Sequence, residues 1–320
     1  MEEITKISII IPCYNAQKYI ARCLDSVLSQ SVECEIIAVN DGSSDDTLAI
    51  LQKYAQKYAN IKIIDQENLG VSAARNAGIA QISGEYFLQI DSDDYFEAGF
   101  LDEICRYLGA QKPDLLRFGF QSVNEKGVIS REFPPEFENL SGDEAFKKFD
   151  NLACLWTIWV FAYKTKFWRK NGLNYPVGFD CGEDMATTPI AIKRAKSVSS
   201  LRAIGVNYFQ NAQSMTRSKN QNQLLKNATD VLRHYDALKG ENLPPNFIHK
   251  VSFSAFFSVA KWLDNEHFER YFTQFKDAHV YKTMKQPLKS VAFLCEKNCT
   301  FYKFALKCLN FVKSIKDRCT

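Results

Sequence analysis

Histidine is scarce in this 320-residue chain, four in all, and none of its ten cysteines forms a C-x-x-C pair. A structural zinc site, which needs Cys and His ligands at close spacing, is disfavoured on those grounds. Long apolar runs are missing too: no stretch of about 18 such residues occurs, so no single-helix membrane span is expected. The opening Met1-Glu2-Glu3-Ile4-Thr5 has neither the charged nor the apolar region of a secretory signal. The cytoplasm is then the expected compartment, with the cysteines as reduced thiols. A net charge of +3 is too small to suggest nucleic acid as a partner. The common phosphate loops are also absent: the first turn reads Pro12-Cys13-Tyr14-Asn15 in place of G-x-G-x-x-G, and there is no G-K-[ST], which disfavours classical dinucleotide and P-loop binding.

What is present is an alternation of strand and helix patterns. Ile7-Ser-Ile-Ile-Ile11, Cys34-Glu-Ile-Ile-Ala-Val39, Ile61-Lys-Ile-Ile64 and Tyr86-Phe-Leu-Gln-Ile90 read as buried strands. Helical spacing fills the intervals: Tyr19 to Gln30, a segment through Leu48, Leu51 and Tyr54 that Asp45 or Asp46 would cap, and Ser72 to Ile82. Such alternation predicts an α/β fold, with a mostly parallel central sheet flanked by helices. Ligands of these sheets bind beyond the carboxyl ends of the strands. That rule gathers Pro12 to Asn15, Asn40 to Ser44 and Asp91 to Asp94 at one edge.

Asp91-Ser92-Asp93-Asp94 is the most telling of the three turns. Clustered carboxylates repel one another and must be solvated, neutralised or metal-bound, and hard oxygen ligands suit Mg²⁺ or Mn²⁺. A solvated acidic turn is the plain alternative. After a helix at Phe100 to Leu108, strands are predicted at Asp114 to Phe120 and Val128 to Phe133, joined by the turn Asn124 to Gly127. Ser141-Gly-Asp-Glu144 has capping-box spacing. Trp156, Trp159, Phe161, Tyr163, Phe167 and Trp168 crowd together as core or as a sugar platform. Glu183-Asp184 is either favourable charge at a helix N-terminus or the source of a general base, and spacing alone favours the first.

Four ordered motifs then stand out: Ile7 to Asn15, Val39 to Thr47, Asn68 to Gly78 and Gly84 to Asp94. Together they resemble family 2 glycosyltransferases of the GT-A type over about Ile7 to Leu108. A weaker extension takes in Glu183-Asp184 and Tyr208 to Thr216, similar to bacterial lipooligosaccharide and capsule sugar transferases. The resemblance implies an inverting transferase that moves a hexose or N-acetylhexosamine from a UDP-sugar, with Mn²⁺ or Mg²⁺, to a glycan or glycolipid acceptor of a bacterial surface glycan such as lipooligosaccharide, capsule or O-antigen. It implies contacts of Pro12, Tyr14 and Asp41 with base and ribose, and places Asn15, Ser43, Asn68, Arg75 and Ser92 around the nucleotide. Asp91 would reach ribose or metal, Asp93 the metal, and Asp94 would support the metal or cap the next helix. Asp184 would be the general base, with Glu183 as runner-up. In two places the chain departs from the family pattern: Asn40-Asp41 replaces the commoner Asp-Asp, and Lys164 comes late after Trp159.

The implied organisation is a GT-A domain over 1–220, with a nucleotide-sugar half at 1–110 and an acceptor half at 111–220, followed by a helical region at 221–320. From Lys285 onward seven Lys and one Arg face only Glu296 and Asp317. Lys303, Lys307 and Lys313 interleave with aromatic residues, a basic amphipathic surface suited either to peripheral contact with the inner face of the membrane or, as an ordinary helix, to packing or a homo-oligomer. Cys295 and Cys299 share a helix face there, for packing or lipidation. A different class of protein, one that binds nucleotide or glycan on the same fold without transfer, stands beside the enzyme reading. Nucleotidyl transfer is disfavoured because no Gly- and Arg-rich loop follows the first strand.

Overall fold

The computed structural model describes residues 6–134, 136–151, 157–179 and 182–210, with scattered positions between 226 and 248. The chain divides into two compact units, one of residues 1–179 with 183–214 and one of 180–182 with 215–320.

In the first unit, strands β1 (Ile7–Cys13) and β2 (Glu35–Asp41) are buried along their whole lengths. Apolar side chains on both faces leave them no solvent side, so they take the interior of the sheet. Helix α1 (Ile20–Leu28) joins them, burying Ile20, Cys23, Leu24 and Val27 at helical spacing. The alternation continues through α2 (Thr47–Lys57), β3 (Ile61–Gln66), α3 (Val71–Gln81) and β4 (Tyr86–Gln89). Asp46 occupies the N-cap position of α2 without a side-chain bond, and it is Asp45 Oδ1 that accepts the Thr47 N–H at 3.0 Å. Parallel pairing of β1 with β2 and β4, and of β2 with β3, gives the order β3-β2-β1-β4.

Beyond β4 follow β5 (Tyr95–Phe96), α4 (Phe100–Gln111), β6 (Leu115–Asn124), β7 (Gly127–Glu132), β8 (Phe137–Leu140), α5 (Gly142–Asn151), β9 (Phe161–Lys164), α6 (Thr165–Lys170), α7 (Glu183–Arg194) and β10 (Val198–Phe209). The capping box forms as predicted, with the Ser141 N–H on Glu144 Oε2 at 3.0 Å and the Glu144 N–H on Ser141 Oγ at 3.4 Å. β9 runs antiparallel between β4 and β6, and β6 pairs in parallel with β10. β5, β7 and β8 add antiparallel pairs. The sheet is therefore mixed: parallel order holds among the first four strands, and antiparallel pairs predominate after them. Short links such as Glu125-Lys126 between β6 and β7 permit only antiparallel neighbours, because a parallel partner needs a crossover of a dozen residues or so.

Two reversals through β9 point β6 and β10 the same way as β1 to β4. All six carboxyl ends thus lie at one edge. Trp159, Phe161, Tyr163, Phe167 and Trp168 are buried as core, whereas Trp156 lies outside the described residues.

In the second unit, Lys226, Asp230, Arg233, Ala237 and Leu238 are helical, and Leu238, Leu243, Phe247 and Ile248 are buried. The basic tail after Lys285, with Cys295 and Cys299, and the segment from Asn211 to Thr216 lie outside the described residues. No helix among the described residues is long and apolar enough to cross a membrane.

Candidate active site

The turns after β1 and β2 are laced together. Asn15, in the left-handed region at φ 49°, donates its N–H to Ser43 Oγ at 3.0 Å, and its side-chain Oδ1 accepts the Ser44 N–H at 2.9 Å. Pro12 is buried beneath this turn, while Tyr14 stands 52% exposed above it. Asp41, only 4% exposed, accepts from Gln66 Nε2 at 2.7 Å, Leu69 N–H at 3.0 Å and Gly70 N–H at 2.9 Å. Its carboxylate therefore ties the end of β2 to the entry of α3. Gly42 is left-handed at φ 66°, and a Cβ there would sit 2.6 Å from the Asn68 backbone nitrogen. Only glycine fits so close an approach, and it brings Asn68, itself exposed, against the same turn.

The acidic turn follows β4. The Asp94 N–H closes it on the Asp91 carbonyl at 3.0 Å, and Arg22 Nη2 holds the Asp93 carbonyl at 2.6 Å. That guanidinium lies 4.7 Å from the Tyr95 ring centre and 4.2 Å from that of Phe209. Asp91, Ser92 and Asp93 are half-buried, but Asp94 is fully buried. Asp94 does not cap α4. Its Oδ1 accepts the Phe209 N–H at 2.7 Å, and its other oxygen has no hydrogen-bond partner. Burial first, then the charges of Asp93 and Asp91, push its pKa well up.

Arg75 joins the two halves of the site. It is buried between two carboxylates, donating through Nη2 to Asp91 Oδ1 at 2.7 Å and through Nη1 to Glu183 Oε1. Burial opposes its charge, but the two carboxylates prevail and raise its pKa. Glu183 and Asp184 form the first turn of α7. Asp184 is pushed up to about 7 by burial and by the neighbouring Glu183 charge, against the Met185 N–H and Arg75, which lower it. The acidic turn and the Glu-Asp pair are thus brought together through one guanidinium.

Local pattern reading missed Arg22, Asn76, Gln89 and Tyr175. Gln89 Nε2 donates to the Tyr175 hydroxyl at 2.5 Å, and Asn76 makes two bonds to the Tyr175 backbone. One sign was available: Gln89 is a polar residue within an otherwise apolar strand, and such a residue needs a partner.

Among the described residues no three His, Cys, Asp or Glu side chains gather into a metal cage. Two half-buried carboxylates on one turn, Asp91 and Asp93, are nonetheless the donor set that suits a divalent cation sharing its shell with substrate phosphates and water. The chemistry of the turn fits Mg²⁺ or Mn²⁺ in that role.

A sheet whose carboxyl edge carries such turns, with carboxylates facing across it, has the architecture of the GT-A nucleotide-sugar enzymes. Residues 8–167 match the profile of glycosyl transferase family 2, and the chain belongs to that family. It is 30% identical to the uncharacterized glycosyltransferase EpsJ of Bacillus subtilis over 219 residues, which are 66% of this chain and 62% of that protein. It is also 30% identical to the poly(ribitol-phosphate) beta-N-acetylglucosaminyltransferase TarS of Staphylococcus aureus over 205 residues, 61% of this chain and 34% of TarS. The matched segments therefore span less than two thirds of either relative. Residues 1–349 of TarS, solved with UDP-GlcNAc, superpose with a TM-score of 0.72 at 18% identity, covering 94% of this chain and 90% of that one. The mannosyltransferase PcManGT of Pyrobaculum calidifontis, solved with GDP-Man and Mn²⁺, gives a TM-score of 0.55 at 14% identity, covering 97% and 88%.

Proposed function

We propose that this chain is an inverting, metal-dependent glycosyltransferase that moves a hexose or N-acetylhexosamine from a UDP-sugar to a hydroxyl of a bacterial surface glycan. The observation that carries the reading is the Arg75 bridge, which sets Asp91 on the donor turn and Glu183-Asp184 on the acceptor side within reach of a single side chain. The UDP-GlcNAc bound by TarS and the polymer in its name support the donor and acceptor classes.

Tyr14, Asn15, Ser43 and Asn68 would line the base and ribose end over the buried Pro12, and Ser92 would lie beside the diphosphate. In this reading Asp41 acts mainly from beneath, by holding the 66–70 backbone. Asp93, with Asp91, would hold Mn²⁺ or Mg²⁺, which when bound neutralises charge developing on the departing diphosphate. Asp184 takes the proton of the acceptor hydroxyl as that oxygen bonds to the anomeric carbon. The carbon–oxygen bond to the diphosphate breaks on the opposite face, and UDP leaves with the electron pair. A base titrating near 7 is half ionised at neutral pH, the condition that suits proton abstraction there. Burial and then the Glu183 charge raise the pKa of that base, and Glu183 fixes its turn through Arg75.

Release of UDP or GDP from a panel of nucleotide sugars, with Mn²⁺, Mg²⁺ or EDTA, tests the proposal. Metal-dependent turnover lost in Asp93→Ala and Asp184→Asn is expected. Full activity in either variant removes the role assigned to that residue, and activity untouched by EDTA removes the metal. The basic tail would hold the enzyme at the inner face of the membrane. Sedimentation with anionic liposomes before and after truncation at Lys285 checks this, since equal binding would reject it and leave packing or a dimer as the role of the tail.

A further inference from the structure

Asn76 follows Arg75 on α3 and reaches the loop that leads to α7. Its Nδ2 donates to the Tyr175 carbonyl at 2.8 Å, and its Oδ1 accepts the Tyr175 N–H at 2.9 Å. Both ends of one side-chain amide are thus used on both polar backbone groups of one residue, the pairing a neighbouring strand would otherwise supply. The Tyr175 side chain is independently fixed: it is 1% exposed, its ring lies 5.4 Å from that of Trp168, and its hydroxyl accepts from Gln89 at 2.5 Å.

The preceding residue passes the constraint on. The Asn174 carbonyl accepts the Thr187 hydroxyl at 3.3 Å, and Thr187 lies three residues after Asp184 on α7, so the two occupy one face of the helix. α3 therefore grips α7 twice, directly through Arg75 and Glu183 and indirectly through Asn76, the 174–175 corner and Thr187. Tyr175 gains its packing from its ring, whereas the Asn76 amide adds register. A side chain with donor and acceptor at fixed reach sets where the corner sits along α3.

We propose that Asn76 is a positioning residue that holds the 174–175 corner so that α7 presents Asp184 to the acceptor hydroxyl. It acts through Tyr175 and Asn174 and touches neither donor nor acceptor. The inference rests on the role given to Asp184 above and extends it to the part of the fold that sets its place.

Two measurements on the full chain test it, in Asn76→Ala and in Asn76→Asp, which keeps the acceptor and loses the donor. In both variants, amide exchange across residues 174–187 is expected to rise about tenfold or more while β1 and β2 stay protected, because the loosened region opens below the global unfolding free energy. Turnover of UDP-GlcNAc with Mn²⁺, water standing in for the acceptor, should fall by about 10- to 100-fold, with UDP affinity held within about threefold. Unchanged exchange overturns the link, and a turnover loss matched by an equal loss of UDP affinity overturns the positioning role. Should Asn76→Ala not fold, Asn76→Asp decides alone. Asp184→Asn is run beside them: if it keeps full turnover, the assignment of the base fails, while the exchange result for Asn76 still stands or falls on its own.

Discussion

Arg75 Nη2 lies 2.7 Å from Asp91 Oδ1, an ion pair in which the arginine side chain is 4% exposed and the aspartate 33%. With Glu183 on its other nitrogen, the buried guanidinium is what allows two partly buried carboxylates to share one corner. Arg75→Ala leaves both uncompensated, and removing one partner of a buried pair costs about 3–5 kcal/mol. A urea melt should show a midpoint lowered to match. Arg75→Lys should recover only part of the loss, because an ammonium cannot serve both carboxylates with a planar fork.

The Asp184 pKa, pushed to about 7 mainly by burial and the Glu183 charge, sets a pH dependence. With Asp184 as the proposed base, the carboxyl is protonated below that value and cannot take a proton, so kcat/KM should rise with pH through about 7 and then level. Asp184→Asn should remove the limb together with about 10²- to 10⁴-fold of the rate. Glu183→Gln removes the like charge and should move the limb to lower pH. A limb that stays in place would show that another group titrates.

Gly78 should resist replacement. A Cβ there would sit 2.6 Å from Ile10 Cγ2, and Ile10 is fully buried and β-branched, with a stiff χ1. Alanine gains about 1 kcal/mol in helix propensity, but overpacking of this kind costs about 1–3 kcal/mol. Gly78→Ala should therefore lower the thermal midpoint, whereas propensity alone would raise it.

Acid stability should depend on Glu35, at the far end of the sheet. Burial works against its charge, yet Lys62 at 2.6 Å, Ser8 Oγ at 2.6 Å and the Ser83 N–H at 2.8 Å overcome that and bring its pKa down to about 2. The depressed value stabilises the fold above the unfolded carboxylate range, and the contribution disappears as pH falls toward about 2. Glu35→Gln should cost about 2 kcal/mol at pH 7 and almost nothing at pH 2. A loss equal at both pH values would assign the effect to packing.

The first four strands and their helices were legible because each repeats an apolar pattern between turn residues, and the acidic turn was legible because carboxylates rarely cluster without cause. Arg75 was visible as part of a motif, but its place was not: Glu183 lies 108 residues along the chain. Asn76 and Tyr175 are 99 residues apart, a pairing that no local periodicity encodes. β9 has four residues within an aromatic crowd, too short for strand alternation to show, and with it went the reversal that mixes the sheet.

The three bonds on Asp41 also determine when the proposed donor pocket becomes ordered. The backbone at Leu69 and Gly70 is held by that carboxylate, a contact internal to the fold, so the entropy of arranging this stretch is lost during folding. Affinity at this end can then come from few contacts, since a preformed wall has little left to immobilise. The same arrangement makes the pocket floor unforgiving: a change at Asp41 would loosen the wall before any ligand arrived.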